Sequence, residues 1–224
     1  YYKLFTSGAP VVVAKTTATT ADDYLAQANA SVGKKGREQT VIRLAEQSLK
    51  LRPTFRAYGF SGIAKSTLSN YQGAIDDYNK AIAINPQDYY AYTLRGVAKV
   101  GLKDNQGAIA DYNKAISINP QLADAYTVRG LAKSNLQDYQ GAIADYNKAI
   151  SINPQFAGVY SHRGFAKKNL GDNQGAIADF NKALAINSQN SDAYNNRGVI
   201  KRDLGDDQGA IADYNKAIEI NPQD

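Results

Sequence analysis

Cysteine, methionine and tryptophan are all missing from this chain of 224 residues, and histidine occurs once, as His162. Without cysteine the chain has no disulfide framework, no thiol nucleophile and no Cys–His pair. One histidine is too little for a zinc site, and no segment has the spelling of a calcium-binding loop. No apolar run approaches the roughly 20 residues of a membrane-spanning helix. The composition therefore predicts a chain with no metal, no cofactor and no membrane span.

What the chain has instead is a unit of 34 residues that recurs five times, from Phe55 to Asp224. The period predicts units at 55–88, 89–122, 123–156, 157–190 and 191–224. Each unit holds two stretches with the apolar spacing of an amphipathic helix, such as Tyr89 to Leu102 and Asn105 to Ile118. Each unit is therefore predicted to be a helical hairpin, which ends at Pro86, Pro120, Pro154, Ser188 or Pro222.

Several polar and small residues recur in every unit, and this recurrence favours a structural role for them. A capping residue precedes each second helix, at Asn70, Asp104, Asp138, Asp172 and Asp206. Glycine lies inside each first helix, where it costs about 1 kcal/mol against alanine, so a partner helix is expected to pass close to Gly62, Gly96, Gly130, Gly164 and Gly198. An active site is needed once rather than five times, so the carboxylates are expected to pair with Arg or Lys of the facing helix: Asp77, Asp111, Asp145, Asp179 and Asp213.

The unit resembles the tetratricopeptide repeat (TPR), whose pattern is an aromatic, Leu-Gly, Ala, an aromatic, Ala and Pro. In the second unit these places hold Tyr92, Arg95-Gly96, Ala108, Tyr112, Ala115 and Pro120. The resemblance implies an all-α fold of tandem helix-turn-helix hairpins, stacked as a right-handed superhelical α-solenoid, and a non-catalytic, protein-binding function. Two departures recur, with arginine in place of leucine and lysine in place of tyrosine: Arg95, Arg129, Arg163 and Arg197, and Lys65, Lys99, Lys133, Lys167 and Lys201.

The first 54 residues differ from the repeats. Residues 1–20 are predicted to be extended or flexible, and 21–54 to be a degenerate hairpin with helices at Asp22 to Val32 and Glu38 to Leu51. A chain that begins at Tyr1 without methionine is interpreted as a fragment or processed form. A signal or anchor ahead of Tyr1 fits its apolar opening, and so does a domain boundary, which leaves open a bacterial cytoplasmic or an extracytoplasmic location. The spelling of residues 171–177 resembles bacterial, especially cyanobacterial, repeats, some of which help assemble membrane complexes.

The resemblance also implies where a partner would bind, since the first helix of each hairpin lines the concave face in this family. The mid-helix position is apolar in all five units, small hydroxyls lie one turn earlier, and the next turn becomes basic toward the C-terminus. The predicted peptide-binding groove is Ile63, Tyr90, Thr93, Val97, Thr127, Leu131, Ser161, Phe165, Lys168, Val199 and Arg202. It suits an extended or helical peptide with apolar side chains and an acidic flank.

Other interpretations remain beside the groove. Neighbouring helices could cover the apolar positions of the predicted groove, so that the groove binds nothing. The residues with which some members of the family clamp a terminal carboxylate are not present, because the corresponding positions hold Gly59, Ile63, Leu94, Asp124 and Val128. The face of the last hairpin near Tyr214, Ala217 and Ile218 could associate with another copy.

Charge argues against a nucleic-acid partner, although that alternative stays open. The first 54 residues carry a net +4, whereas residues 55–224 carry only +1, so the repeats do not form a basic path. Only the loop Lys34-Lys35-Gly36-Arg37 favours nucleic acid. His162 is interpreted as a packing or groove-edge residue.

Overall fold

The computed structural model describes residues 20–222, and the regular structure in this range is entirely helical. The predicted lead-in lies outside this range except for Thr20, whose side chain caps the first helix. The helices of the described residues are α1 Ala21–Ser31, α2 Glu38–Leu51, α3 Phe55–Thr67, α4 Tyr71–Ile84, α5 Tyr89–Gly101, α6 Asn105–Ile118, α7 Ala123–Asn135, α8 Tyr139–Ile152, α9 Ala157–Asn169, α10 Asn173–Ile186, α11 Ser191–Asp203 and α12 Asp207–Ile220.

The helices form hairpins in chain order, as the period predicts, and they fall into two compact units. Unit 1 ends at Ile118 and contains the hairpins α1–α2, α3–α4 and α5–α6. Unit 2 begins at Asn119 and contains α7–α8, α9–α10 and α11–α12. Within each unit the second helix of one hairpin packs against the first helix of the next, and consecutive first helices also touch. The first helices of a unit therefore share one face.

The predicted caps hold the second helices in place. The carboxylate of Asp138 accepts a hydrogen bond from the backbone N–H of Gly141 at 2.9 Å, and Asn70, Asp104, Asp172 and Asp206 accept in the same way. In α2 the equivalent position is Arg37, whose side chain makes no such bond. The degenerate hairpin thus lacks the cap that the five regular hairpins share.

The helical glycines make room for an aromatic ring of the facing helix. A Cβ atom on Gly130 would lie 2.5 Å from Cε1 of Tyr146, a ring that is completely buried. Gly62 and Gly96 face Tyr78 and Tyr112 in the same way. The close approach that the glycines predict is therefore confirmed, and the group that occupies the space is an aromatic ring, a tyrosine in four hairpins and Phe180 in the fifth.

The recurring carboxylates pair with the recurring Arg and Lys, as predicted. Arg163 donates from Nε to Oδ2 of Asp179 at 2.9 Å and from Nη2 to Oδ1 at 2.5 Å, and Nζ of Lys167 lies 2.8 Å from Oδ2. Arg163 also donates from Nη1 to Oδ1 of Asn147, in the preceding hairpin, at 2.6 Å. Arginine replaces the family's usual leucine here, and it joins one hairpin to the next. The same set recurs at Asp213, where burial raises the pKa but hydrogen bonds from Arg197 and Lys201 outweigh burial and hold the pKa below its ordinary value.

The hairpin α1–α2 packs on α3 and covers part of it. Val41, Leu44 and Ala28 form one buried apolar cluster with Phe60 and Ile63 of α3. The hydroxyl of Ser48 donates to the backbone carbonyl of Ala21 at 2.8 Å and ties the two helices of the hairpin together. A degenerate unit therefore still buries a core, and it does so against the first regular hairpin.

Candidate functional site

In unit 1 the predicted groove residues are mostly covered. Ile63 is 7% exposed within the cluster beneath α1–α2. Thr93 is buried, and its hydroxyl donates to the carbonyl of Tyr89 in its own helix at 2.8 Å. Val97 is half-buried, and so is Tyr90, whose ring centroid lies 4.3 Å from that of Tyr89. Ile63 and Thr93 therefore offer little area to a partner, whereas Tyr90 and Val97 keep part of theirs exposed.

In unit 2 one of the mid-helix groove positions is open. Phe165 is 42% exposed, while Leu131 and Val199 at the equivalent positions are half-buried. The three residues lie on the first helices α7, α9 and α11, of which α9 touches both of the others. We call Leu131, Phe165 and Val199 the apolar stripe.

The polar residues predicted beside the stripe differ in how free they are. The hydroxyl of Thr127 is buried and donates to the carbonyl of Ala123 at 2.9 Å, and Oγ of Ser161 accepts from Nδ2 of Asn190 at 3.0 Å. Arg202 is exposed, and its guanidinium is 2.9 Å from the carboxylate of Asp203, whose hydrogen bond raises the pKa of Arg202. Lys168 makes no ion pair within residues 20–222. Of the two predicted cations, Lys168 is therefore the one without an ion-pair partner in this range.

His162 lies one position after Ser161, and it packs rather than projects. Its ring stacks on Tyr146 with centroids 6.0 Å apart. Burial lowers its pKa, and the charge of Asp192 opposes this shift only partly. Burial therefore disfavours the charged form of His162, and its contact with Tyr146 fits the packing role, one of the two roles, packing or groove edge, that the sequence predicts.

The outer face of α12 is a second exposed apolar surface. Ile211 and Ile218 are 59% and 52% exposed. Leu184 of α10, which is equivalent to Ile218, is instead buried against α11. The hydroxyl of Tyr214 is buried and has no hydrogen-bond partner among residues 20–222. Ala217, predicted to be part of this face, is instead 5% exposed, because a small side chain in the middle of the hairpin is covered by its own neighbours.

A pocket in unit 1 was not predicted from the sequence. It lies between the α1–α2 connection and α3, and Ile63 forms part of its floor. The signal was present in the connection length, since α1 and α2 are joined by six residues, whereas three join the helices of every regular hairpin. From its sequence this connection is interpreted only as a basic loop that favours nucleic acid, not as the wall of a pocket.

The described residues form neither a metal centre nor a membrane span. Between residues 20 and 222, no three His, Asp or Glu side chains come together as a metal site would require. Within the same range, no helix has the length and apolar character needed to cross a bilayer.

Models of known families match most of the repeat region. Models described as "Tetratricopeptide repeat" match residues 55–88 and 191–224, and a model described as "TPR repeat" matches 100–137, 135–171 and 168–201. The chain belongs to the tetratricopeptide repeat family. The resemblance predicted from the 34-residue period is thereby confirmed, and the TPR protein is a non-catalytic, all-α solenoid that serves as a protein-interaction scaffold.

Solved structures show the same fold. A crystal structure of MamA is 25% identical, with a TM-score of 0.66, and the match covers 72% of this chain and 95% of MamA. YrrB, described as a TPR protein with an unusual peptide-binding site, is 21% identical with a TM-score of 0.61, covering 74% and 86%. Cut9 in the APC/C hetero-tetramer Cut9–Hcn1 is 16% identical with a TM-score of 0.80, covering 92% of this chain and 40% of the other. The search of curated proteins returned no match.

Proposed function

We propose that the apolar stripe of unit 2 binds an extended or helical segment of a partner protein. The observation that carries the proposal is the exposure of Phe165, an aromatic side chain left 42% open on the face that α7, α9 and α11 share. Aromatic residues, phenylalanine among them, are enriched at protein interfaces, where a few buried anchor residues carry most of the binding energy. The peptide-binding site named for YrrB supports the same mode of action in a protein of this fold.

The chemistry of the surface describes the expected segment. Leu131, Phe165 and Val199 would receive apolar side chains, and Lys168 would attract a carboxylate next to them. Contacts at Tyr90, Thr93, Val97 and Ile63 in unit 1 stay predictions, and of these Thr93 and Ile63 are buried. Holding a partner segment in this way fits a factor that helps assemble a larger complex, including a membrane complex.

Peptides selected from a random library on the whole chain provide a test with a defined ligand. The selected peptides should be rich in apolar residues with acidic neighbours. Phe165→Asp and Leu131→Asp should each weaken their binding by roughly 30-fold or more, the size of an interface hot spot, while circular dichroism shows unchanged helical content.

Leu170→Asp is the matched control, because Leu170 is 43% exposed, belongs to the same hairpin and lies outside the stripe. The control should bind the peptides as the unaltered chain does. Equal losses for Leu170→Asp and Phe165→Asp, or no loss for Phe165→Asp, would place binding elsewhere.

A second candidate function is self-association through α12, favoured by the exposure of Ile211 and Ile218. In this arrangement a second copy would cover the face that α11 covers on α10. Light scattering over a wide concentration range should show a mass that rises with concentration, and Ile211→Asp with Ile218→Asp should keep the chain monomeric. A chain that is monomeric throughout without any substitution would exclude this function.

A further inference from the structure

The pocket has a volume of about 210 Å³ and is lined by residues of unit 1 alone. Its wall is the connection between α1 and α2, in which Gly33 and Gly36 have positive φ angles of 76° and 79°. Such angles strain any residue with a Cβ atom, so the two glycines allow the six-residue connection to bend over α3. The lining includes Val32, Lys34, Lys35, Glu38, Val41 and Ile63.

The floor of the pocket is apolar and firmly held. Val41 and Ile63 are buried in the cluster that joins α2 to α3, and Val32 packs against the same cluster. The hydroxyl of Ser31 donates to the carbonyl of Gln27 and that of Thr67 to the carbonyl of Ile63, so both polar groups of the wall are engaged within their own helices. The floor therefore fits a hydrocarbon group better than a polar one.

The rim is positively charged. Lys34 and Lys35 are exposed, and neither makes an ion pair within residues 20–222. Glu38 is the one carboxylate among the lining residues, and it accepts a hydrogen bond from the backbone N–H of Gly36 at 3.3 Å. Two ammonium groups beside one engaged carboxylate leave a net attraction for an anion.

The N-terminal segment of the chain does not match this charge. Residues 1–19 contain Lys3 and Lys15 and no acidic residue. Charge complementarity therefore points to an occupant from outside the chain.

We propose that this pocket binds a short aliphatic group that carries or adjoins a carboxylate, with the hydrocarbon on Val41 and Ile63 and the carboxylate at Lys34 and Lys35. The volume is below the roughly 300–1,000 Å³ of sites for drug-sized ligands, so the hydrocarbon is a chain of about four to six carbons. The same chemistry occurs in a free short-chain fatty acid and in a leucine beside an aspartate in a peptide. The site does not depend on the stripe of unit 2.

The test is a titration of the whole chain with 4-methylpentanoate, followed through the methyl NMR signals of Val32, Val41 and Ile63. These signals should shift with an affinity in the millimolar range expected for so small a ligand, while the methyl signals of Leu131 and Val199 stay in place. The neutral 4-methylpentanamide should bind at least about fivefold more weakly than the acid. Acetate, which lacks the hydrocarbon, should produce no saturable shift. A capped Asp-Leu-Asp peptide tests the other source: binding at least tenfold tighter than 4-methylpentanoate indicates a protein ligand, and weaker binding indicates the free acid.

Substitutions at the rim separate the charge from the cavity. Lys34→Gln combined with Lys35→Gln should weaken 4-methylpentanoate binding about fivefold at low salt and leave the amide unaffected. Lys50→Gln is the matched control, because Lys50 is an exposed lysine of α2 outside the pocket. The proposal is overturned if the amide binds as tightly as the acid, if the double variant binds as the unaltered chain does, or if no pocket methyl signal shifts.

Discussion

The hairpins α3–α4 and α9–α10 are two copies of one pattern, yet their first helices meet different surroundings. At the mid-helix position Ile63 is 7% exposed and Phe165 is 42% exposed. The difference arises because α1–α2 packs over α3 and includes Ile63 in its apolar cluster, whereas Phe165 is left open on the shared face of α7, α9 and α11. A position in a repeat is therefore available to a partner only where no neighbouring element covers it.

The two hairpins also differ in how they satisfy the recurring carboxylate. Asp179 is held by two guanidinium hydrogen bonds from Arg163 and by Lys167. In α3–α4 the arginine is replaced by Ser61, so Asp77 accepts one hydrogen bond from its hydroxyl and one from Lys65, both at 2.6 Å. The link to the preceding hairpin, from Arg163 to Asn147, has no equivalent at Ser61.

The largest expected difference in stability follows from these carboxylates. Asp179→Ala leaves Arg163 and Lys167 without a counter-charge, which costs 3–5 kcal/mol at a fully buried pair and about 2–3 kcal/mol here, since both cations keep some contact with water. Asp77→Ala leaves Lys65 and the hydroxyl of Ser61 without their acceptor, and it should lower the free energy of unfolding by about 1–2 kcal/mol. Hydrogen exchange of the amides in each hairpin measures the local free energy of opening.

Asp76→Ala is the control for both variants, because Asp76 is exposed and should contribute less than about 0.5 kcal/mol. Equal losses for Asp77→Ala and Asp179→Ala would show that the arginine adds nothing to the pair.

A smaller difference is expected at the helical glycines. A Cβ atom on Gly62 would lie 2.6 Å from the buried ring of Tyr78, whereas one on Gly164 would lie 3.1 Å from Phe180. Gly62→Ala should destabilise the chain by about 1–2 kcal/mol even after the gain in helix propensity. Gly164→Ala should stay within about 0.5 kcal/mol of the unaltered chain, as small shifts of Phe180 offset the gain.

Gly59→Ala provides the control in urea unfolding. A Cβ atom there meets nothing within 4 Å, so the helix gain should appear as about 0.5–1 kcal/mol of added stability. A stabilising Gly62→Ala would contradict the tight fit of Tyr78.

The smallest difference is expected in the connections of the two hairpins. The middle residue is left-handed in both, at Ser69 with φ 60° and at Gly171 with φ 81°. Because only glycine adopts this region without strain, Ser69→Gly should stabilise the chain by about 0.5–1 kcal/mol, and Gly171→Ser should destabilise it by a similar amount. Thermal unfolding of the two variants measures both changes, and changes of the same sign would refute the explanation.

Most of the fold could be predicted from the sequence, because the 34-residue period repeats the helix spacing, the caps and the close glycine contacts in every unit. The site was harder to predict, since exposure depends on long-range packing. Nothing in the spelling of residues 55–88 shows that α1–α2 covers Ile63, nor that the extra length of residues 32–37 leaves a pocket beside it. The hydroxyls of Thr93 and Thr127 were assigned to the groove edge, but they are engaged by their own helices.

The most direct test of the account is methyl NMR of the whole chain with a library-selected peptide added near its dissociation constant. The account predicts that the signals of Leu131 and Val199, on either side of Phe165, shift first and saturate together. Shifts confined to residues outside the stripe, such as Ile211 on α12, with Leu131 and Val199 unmoved, would contradict it.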